Sequence, residues 1–215
     1  VNRVIILVLI FFLACESQTF FERLVSEYTP YTNVGNSWEF VVAAEDTFDI
    51  HWLVTGHAIL GGMNASIVQE GEDFLYFSRE PDGLYEWMST TRKFSDEVIT
   101  LEERWRKRIE LPLATGNRWT DLYQNEVDHQ GLTYAITSKL EGEVVGIEPV
   151  LTQADYFENA FRVDLRIESR VVDPISGETD ELTIINEWYA PDVGLVRRDI
   201  SGAEQWILRN FQVIP

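Results

Sequence analysis

The sequence predicts a mainly β fold: a strongly curved antiparallel sheet closing toward a half-barrel, barrel or sandwich. Three observations carry that reading. From residue 37 onward the chain is a succession of runs rich in Val, Ile, Thr and aromatic residues, with turn signals about every ten residues. The clearest run alternates apolar and charged side chains residue by residue, which is the period of a strand with one wet face. So many strands with no helices to cover them must curl on themselves. The 215 residues are 45% hydrophobic and 13% aromatic, enough for one sizeable all-β domain or two small ones.

The N-terminus predicts an address. Arg3 is the only charge before an apolar run from Val4 to Leu13, too short for a bilayer span but the right length for the core of a secretory signal. The run ends in Phe12-Leu13-Ala14-Cys15, which resembles the lipobox of bacterial lipoprotein signals. That resemblance implies removal of residues 1–14 and lipidation of Cys15, the only cysteine, as the new first residue. The expected location is then the bacterial cell envelope, lipid-anchored on the periplasmic side of the outer or inner membrane or at the cell surface. Residues 15–29 read as a tether and a short helix, because Phe20, Phe21, Leu24, Val25 and Tyr28 recur at helical spacing before Pro30.

The β domain is expected over residues 30–215. Its clearest strand is 161–172, where Phe161, Val163, Leu165 and Ile167 share one face and Arg162, Asp164, Arg166 and Glu168 the other. Asp173-Pro174-Ile175-Ser176-Gly177 supplies a turn, and 181–189 returns as the hairpin partner. Further strands are readable at 37–44, 48–55, 65–69, 74–79, 84–90, 97–107, 118–126, 132–140, 194–200 and 203–213. Connections this short favour antiparallel neighbours.

Pro30 to Trp38 and Pro112 to Trp119 share Gly-Asn-x-Trp, each opening a strand after a Pro-containing loop, and this echo divides the domain into two candidate halves, 30–110 and 111–215. These openings, the stretch Phe157-Glu158-Asn159-Ala160-Phe161-Arg162-Val163 and the motif Glu187-Trp188-Tyr189-Ala190-Pro191-Asp192-Val193-Gly194-Leu195-Val196-Arg197 resemble an uncharacterised group of secreted bacterial proteins and lipoproteins. The resemblance implies a layout similar to the curved sheets of periplasmic lipoprotein carriers, and it brings no catalytic residues with it. The last motif also has a mechanical reading: Pro191 ends a strand, Gly194 permits the turn, and Leu195 restarts the next strand facing inward.

Charge and chemistry narrow the function. With 17 Lys and Arg against 36 Asp and Glu, the formal charge of −19 would repel nucleic acid. No Gly-x-Ser-x-Gly elbow, His-Glu-x-x-His or phosphate-binding Gly loop is present, so no enzyme activity and no cofactor are expected. Asp49, His51 and His57 share strand parity and are the one conceivable metal set; Gly56 interrupts them, and no metal is expected. Asp128-His129 reads as a hydrated loop. In 102–108, Arg104, Arg106 and Arg108 fall on one face; they are expected to pair with carboxylates on the wet side of the sheet. The expected function is a lipid-anchored binding or carrier module holding an apolar or amphipathic ligand on a concave sheet. The alternative is an envelope scaffold or protein-interaction module with a filled core, and a hydrolase is the least supported.

Overall fold

The computed structural model describes residues 28–43, 48–94 and 97–214. The expected signal segment 1–14, Cys15 and all of the expected helix except Tyr28 lie outside the described residues. Among the described residues, twelve strands form one antiparallel sheet: β1 (Ser37–Ala43), β2 (Phe48–Leu60), β3 (Met63–Glu70), β4 (Asp73–Glu80), β5 (Gly83–Phe94), β6 (Glu97–Glu110), β7 (Arg118–His129), β8 (Leu132–Leu151), β9 (Tyr156–Asp173), β10 (Gly177–Ala190), β11 (Gly194–Ile200) and β12 (Glu204–Gln212). The spatial order β6-β5-β4-β3-β2-β1-β12-β11-β10-β9-β8-β7 makes two six-strand meanders joined where β1 pairs with β12.

Each predicted strand is present, and the faces of the clearest one are as its alternation requires. Val163 and Leu165 are buried, Phe161 and Ile167 pack against the core, and Arg166 is exposed. In β8, Tyr134, Ile136, Ser138, Leu140 and Val144 point inward while Thr137, Lys139, Glu141 and Glu143 alternate with them. Gly142 sits in the inward row because Trp119 lies on it: a Cβ there would meet the indole at 2.2 Å.

The sheet curls until its two edge strands meet, but the backbone ladder stops at β6 and β7. Side chains close the seam. Asn125 Nδ2 donates to the Leu101 carbonyl at 2.9 Å and the Lys107 amide donates to Asp121 Oδ2 at 3.2 Å. Arg104 pairs with Asp121 at 2.6 Å and lies over the Tyr123 ring. Bare edges recruit other strands, and here side chains of β7 occupy backbone groups of β6 instead.

Inside the curve, Trp38, Phe40, Trp52, Tyr31, Phe77 and Trp206 form an aromatic cluster, with Tyr31 stacked on Phe77 at 5.3 Å and Trp52 edge-on to Trp206 at 6.0 Å. A smaller cluster joins Ile99 and Leu101 of β6 to Tyr134 and Ile136 of β8.

The two Gly-Asn openings are built alike. Gly35 donates to the Val54 carbonyl at 2.9 Å, and the Val54 amide returns to the Asn36 carbonyl at 2.9 Å. Gly116, Val144 and Asn117 repeat that exchange at 2.8 and 2.9 Å. Each Asn side chain also reaches back to a Pro carbonyl, Asn36 to Pro30 and Asn117 to Pro112. At the 191–193 corner Trp38 Nε1 donates to the Val193 carbonyl at 2.6 Å, and Gly194, at φ 87°, leaves no room for a Cβ beside Pro30. Leu195 is buried beyond it, as the mechanical reading of this motif requires.

Three local expectations are corrected. A bulge between Val54 and Gly56 adds a residue to β2, so His57 pairs with Ser66 and falls on the opposite face from His51. Asp128 and His129 end β7 rather than forming a loop, with His129 Nε2 3.1 Å from Glu97. Arg106 and Arg108 do pair with carboxylates, but inside the sheet, where both are buried.

Candidate functional site

The buried arginines belong to a charged cluster at the heart of the molecule. β5 supplies Glu86, β6 Arg106 and Arg108, β10 Glu187 and Tyr189, and β11 Arg198. Glu187 occupies an inward position between Ile185 and Tyr189 of its strand, and Arg198 one two residues beyond Val196; of the six, Glu86 is half-buried and the other five are buried. A bulge where Leu84 pairs with Ile109 and Tyr85 with Lys107 turns Arg108 inward beside the core residue Ile109.

Each carboxylate accepts from two guanidinium groups. Glu187 Oε1 accepts from Arg108 Nη2 at 2.5 Å and Arg198 Nε at 2.7 Å, while its Oε2 accepts from the Tyr189 hydroxyl at 2.7 Å. Glu86 Oε2 accepts from Arg106 Nη2 at 2.8 Å and Arg108 Nη1 at 3.1 Å. The Arg198 guanidinium lies over Trp206 at 4.4 Å and Trp52 at 5.4 Å, so it is held by charge on one side and ring faces on the other.

Burial alone would raise the Glu187 carboxyl, yet Arg108 and Arg198, with the Tyr189 hydroxyl, hold it down to about 2. Burial likewise opposes ionisation of Glu86, and the guanidiniums of Arg108 and Arg106 overcome it, leaving its pKa lowered. Tyr189 and Tyr31 are pushed up by burial and by the Glu187 charge. A carboxylate this far below neutral is a poor proton donor or acceptor for reactions near pH 7. The cluster's physical effect is to tie β5 and β6 to β10 and β11 across the interior.

The open grooves are on the outer face. One of about 380 Å³ crosses β7–β10 along the row Leu122, Lys139, Glu168 and Leu182, which are successive cross-strand neighbours. A second of about 510 Å³ follows the row Thr120, Glu141, Arg166 and Ile184. Their charges pair along the strands, Lys139 with Glu141 at 2.7 Å and Arg166 with Glu168 at 2.5 Å.

Of the residues singled out in the sequence, Cys15 lies outside the described residues. Asp49 pairs with Arg209 at 2.7 Å, His51 borders a shallow groove with Glu39 and Asn210, and His57 stands apart on the other face. Among the described residues no group of three or more His, Cys, Asp and Glu side chains is placed to share a metal ion. Sequence reasoning missed the Glu86–Glu187 cluster. Its one legible signal was parity: in 185–189 the inward positions read Ile-Glu-Tyr, an acid in a core row.

No protein-family model and no curated protein matches the chain. Two solved structures do resemble it. One is a putative exported protein with a YmcC-like fold from Bacteroides fragilis, at 11% identity and a TM-score of 0.44, covering 86% of this chain and 99% of that one. The other is a putative lipoprotein from Parabacteroides distasonis, at 13% identity and a TM-score of 0.49, covering 84% of this chain and 96% of that one.

Proposed function

We propose that this chain is a lipid-anchored protein of the bacterial cell envelope that acts as a non-catalytic scaffold or interaction module, presenting the outside of a sheet whose inside is spent on its own core. The observation that carries this reading is the occupant of the concave face. Trp38, Phe40, Trp52, Leu140 and Leu165 are all at or below 2% exposure, and the Glu86–Glu187 cluster spans the space between the two meanders. An acyl chain would have to displace these groups, and close-packed interiors do not yield that volume without loss of stability.

A carrier for an apolar or amphipathic ligand is the second reading, favoured by the groove across Leu122 and Leu182, whose 380 Å³ falls within the size range of small-molecule sites. Titration with a brominated fatty acid separates the two. The scaffold reading expects no saturable quenching of Trp fluorescence, because Trp38, Trp52 and Trp206 are enclosed. Saturable one-to-one quenching would establish the carrier. The anchor is tested separately: Cys15→Ser should release the chain from membranes and leave its melting curve unchanged.

A further inference from the structure

One strand of the sheet changes character along its length. The outward row of β8 begins with Thr137, Lys139, Glu141 and Glu143, the polar side chains expected of a face in water. Beyond it, two bulges, at Val144/Gly146 and Glu148/Val150, break the alternation, and Val145, Ile147, Pro149 and Leu151 are all four exposed, with Ile147 at 54% and Leu151 at 75%. Tyr156, the cross-strand partner of Leu151, is 57% exposed. Large apolar side chains exposed together at the end of one arm mark an interaction site.

The arm that carries them is fixed in place. The amides of Gln153 and Ala154 donate to the Leu208 carbonyl at 3.0 and 3.2 Å, and Val150 and Phe157 pack inward on the core. The chain from the N-terminus enters the fold on this same arm: the Tyr28 ring meets Phe161 at 5.1 Å, and Phe161 is the cross-strand partner of Ile147. A chain from Cys15 to Tyr28 can span at most about 45 Å.

We propose that the apex of the β8–β9 arm rests in the interface of the bilayer that holds the Cys15 lipid, with Ile147, Pro149, Leu151 and Tyr156 as its contact residues. This rests on the lipid-anchor reading above. Tyr156 has the apolar body and polar tip suited to the headgroup level. The formal charge of −19, with Glu148, Asp155 and Glu158 on the arm itself, is repelled by anionic headgroups, so the partner is a zwitterionic lipid surface met through apolar contact.

The test uses the full lipidated chain on vesicles of phosphatidylcholine and phosphatidylethanolamine. Acylation blocks Cys15, so a nitroxide can be placed at Leu151→Cys or, as control, at Ile175→Cys in the turn at the far end of β9, where the native residue is 69% exposed. The proposal expects the label at 151 to be open to oxygen and shielded from a water-soluble nickel complex, and the label at 175 to show the reverse. Equal nickel access at both positions overturns it. Shielding of 151 from both reagents also overturns it, and would mean that a protein covers the arm. A chain that does not sediment with the vesicles at all removes the anchor reading and this proposal together, an outcome distinct from an anchored chain whose arm stays in water.

Discussion

Glu187 shows how much one side chain can decide here. Removing its charge leaves Arg198 buried without its counter-ion and Arg108 with Glu86 alone, and breaking a buried pair from one side costs about 3–5 kcal/mol. Glu187→Gln should therefore lower stability by that amount in urea unfolding, while Glu168→Gln on the wet face should cost under about 1 kcal/mol. The pH dependence has a definite sign. Glu187 and Asp173 are both held down to about 2 in the folded chain, Glu187 by its arginines against burial and Asp173 by the amides of Ile175 and Ser176. A carboxyl depressed on folding contributes stability above its unfolded value, near 4, and loses it as pH falls through the folded value. Thermal melts should be flat from about pH 7 to 5 and fall between about pH 4.5 and 2, and Glu187→Gln should flatten part of that fall.

At the scale of the element, β9 gives the sharpest test of inside and outside. Val163→Asp or Leu165→Asp places an unpaired carboxylate among buried side chains and should unfold or severely destabilise the protein, whereas Arg166→Ala should cost under about 1 kcal/mol. Thermal melts in which Arg166→Ala is the most damaging of the three would reverse the assignment of faces. This strand was legible in the sequence because its alternation is unbroken and its turn is spelled out by Pro174 and Gly177. The end of β8 was not. From Val144 to Leu151 apolar residues stand on both faces, the period of two disappears, and the strand runs eleven residues beyond the expected limit of 140 to Leu151. The bulge at Thr55 was hidden for a related reason: an extra residue reverses parity without changing composition, which is why Asp49, His51 and His57 seemed to share a face.

For the whole molecule, the outline of twelve antiparallel strands follows from local pattern, because meanders need only neighbouring runs and short turns. Its interior does not. Glu86, Arg108, Glu187 and Arg198 come from four strands brought together by curvature, and pair distances across a curled sheet have no trace in local periodicity. The seam is similar: Asp121 and Asn125 read as ordinary wet-face residues until β6 is laid beside them. What these long-range contacts produce is a sheet closed on its own side chains, which leaves the outer face and the β8–β9 arm as the proposed working surfaces. Native mass spectrometry of the chain extracted from membranes in mild detergent tests that claim most directly. The account predicts a mature chain beginning at Cys15, carrying its covalent acyl groups and no other lipid. A stoichiometric, non-covalently held lipid that survives detergent exchange would contradict it, because the chain would then hold a ligand as the carrier reading requires.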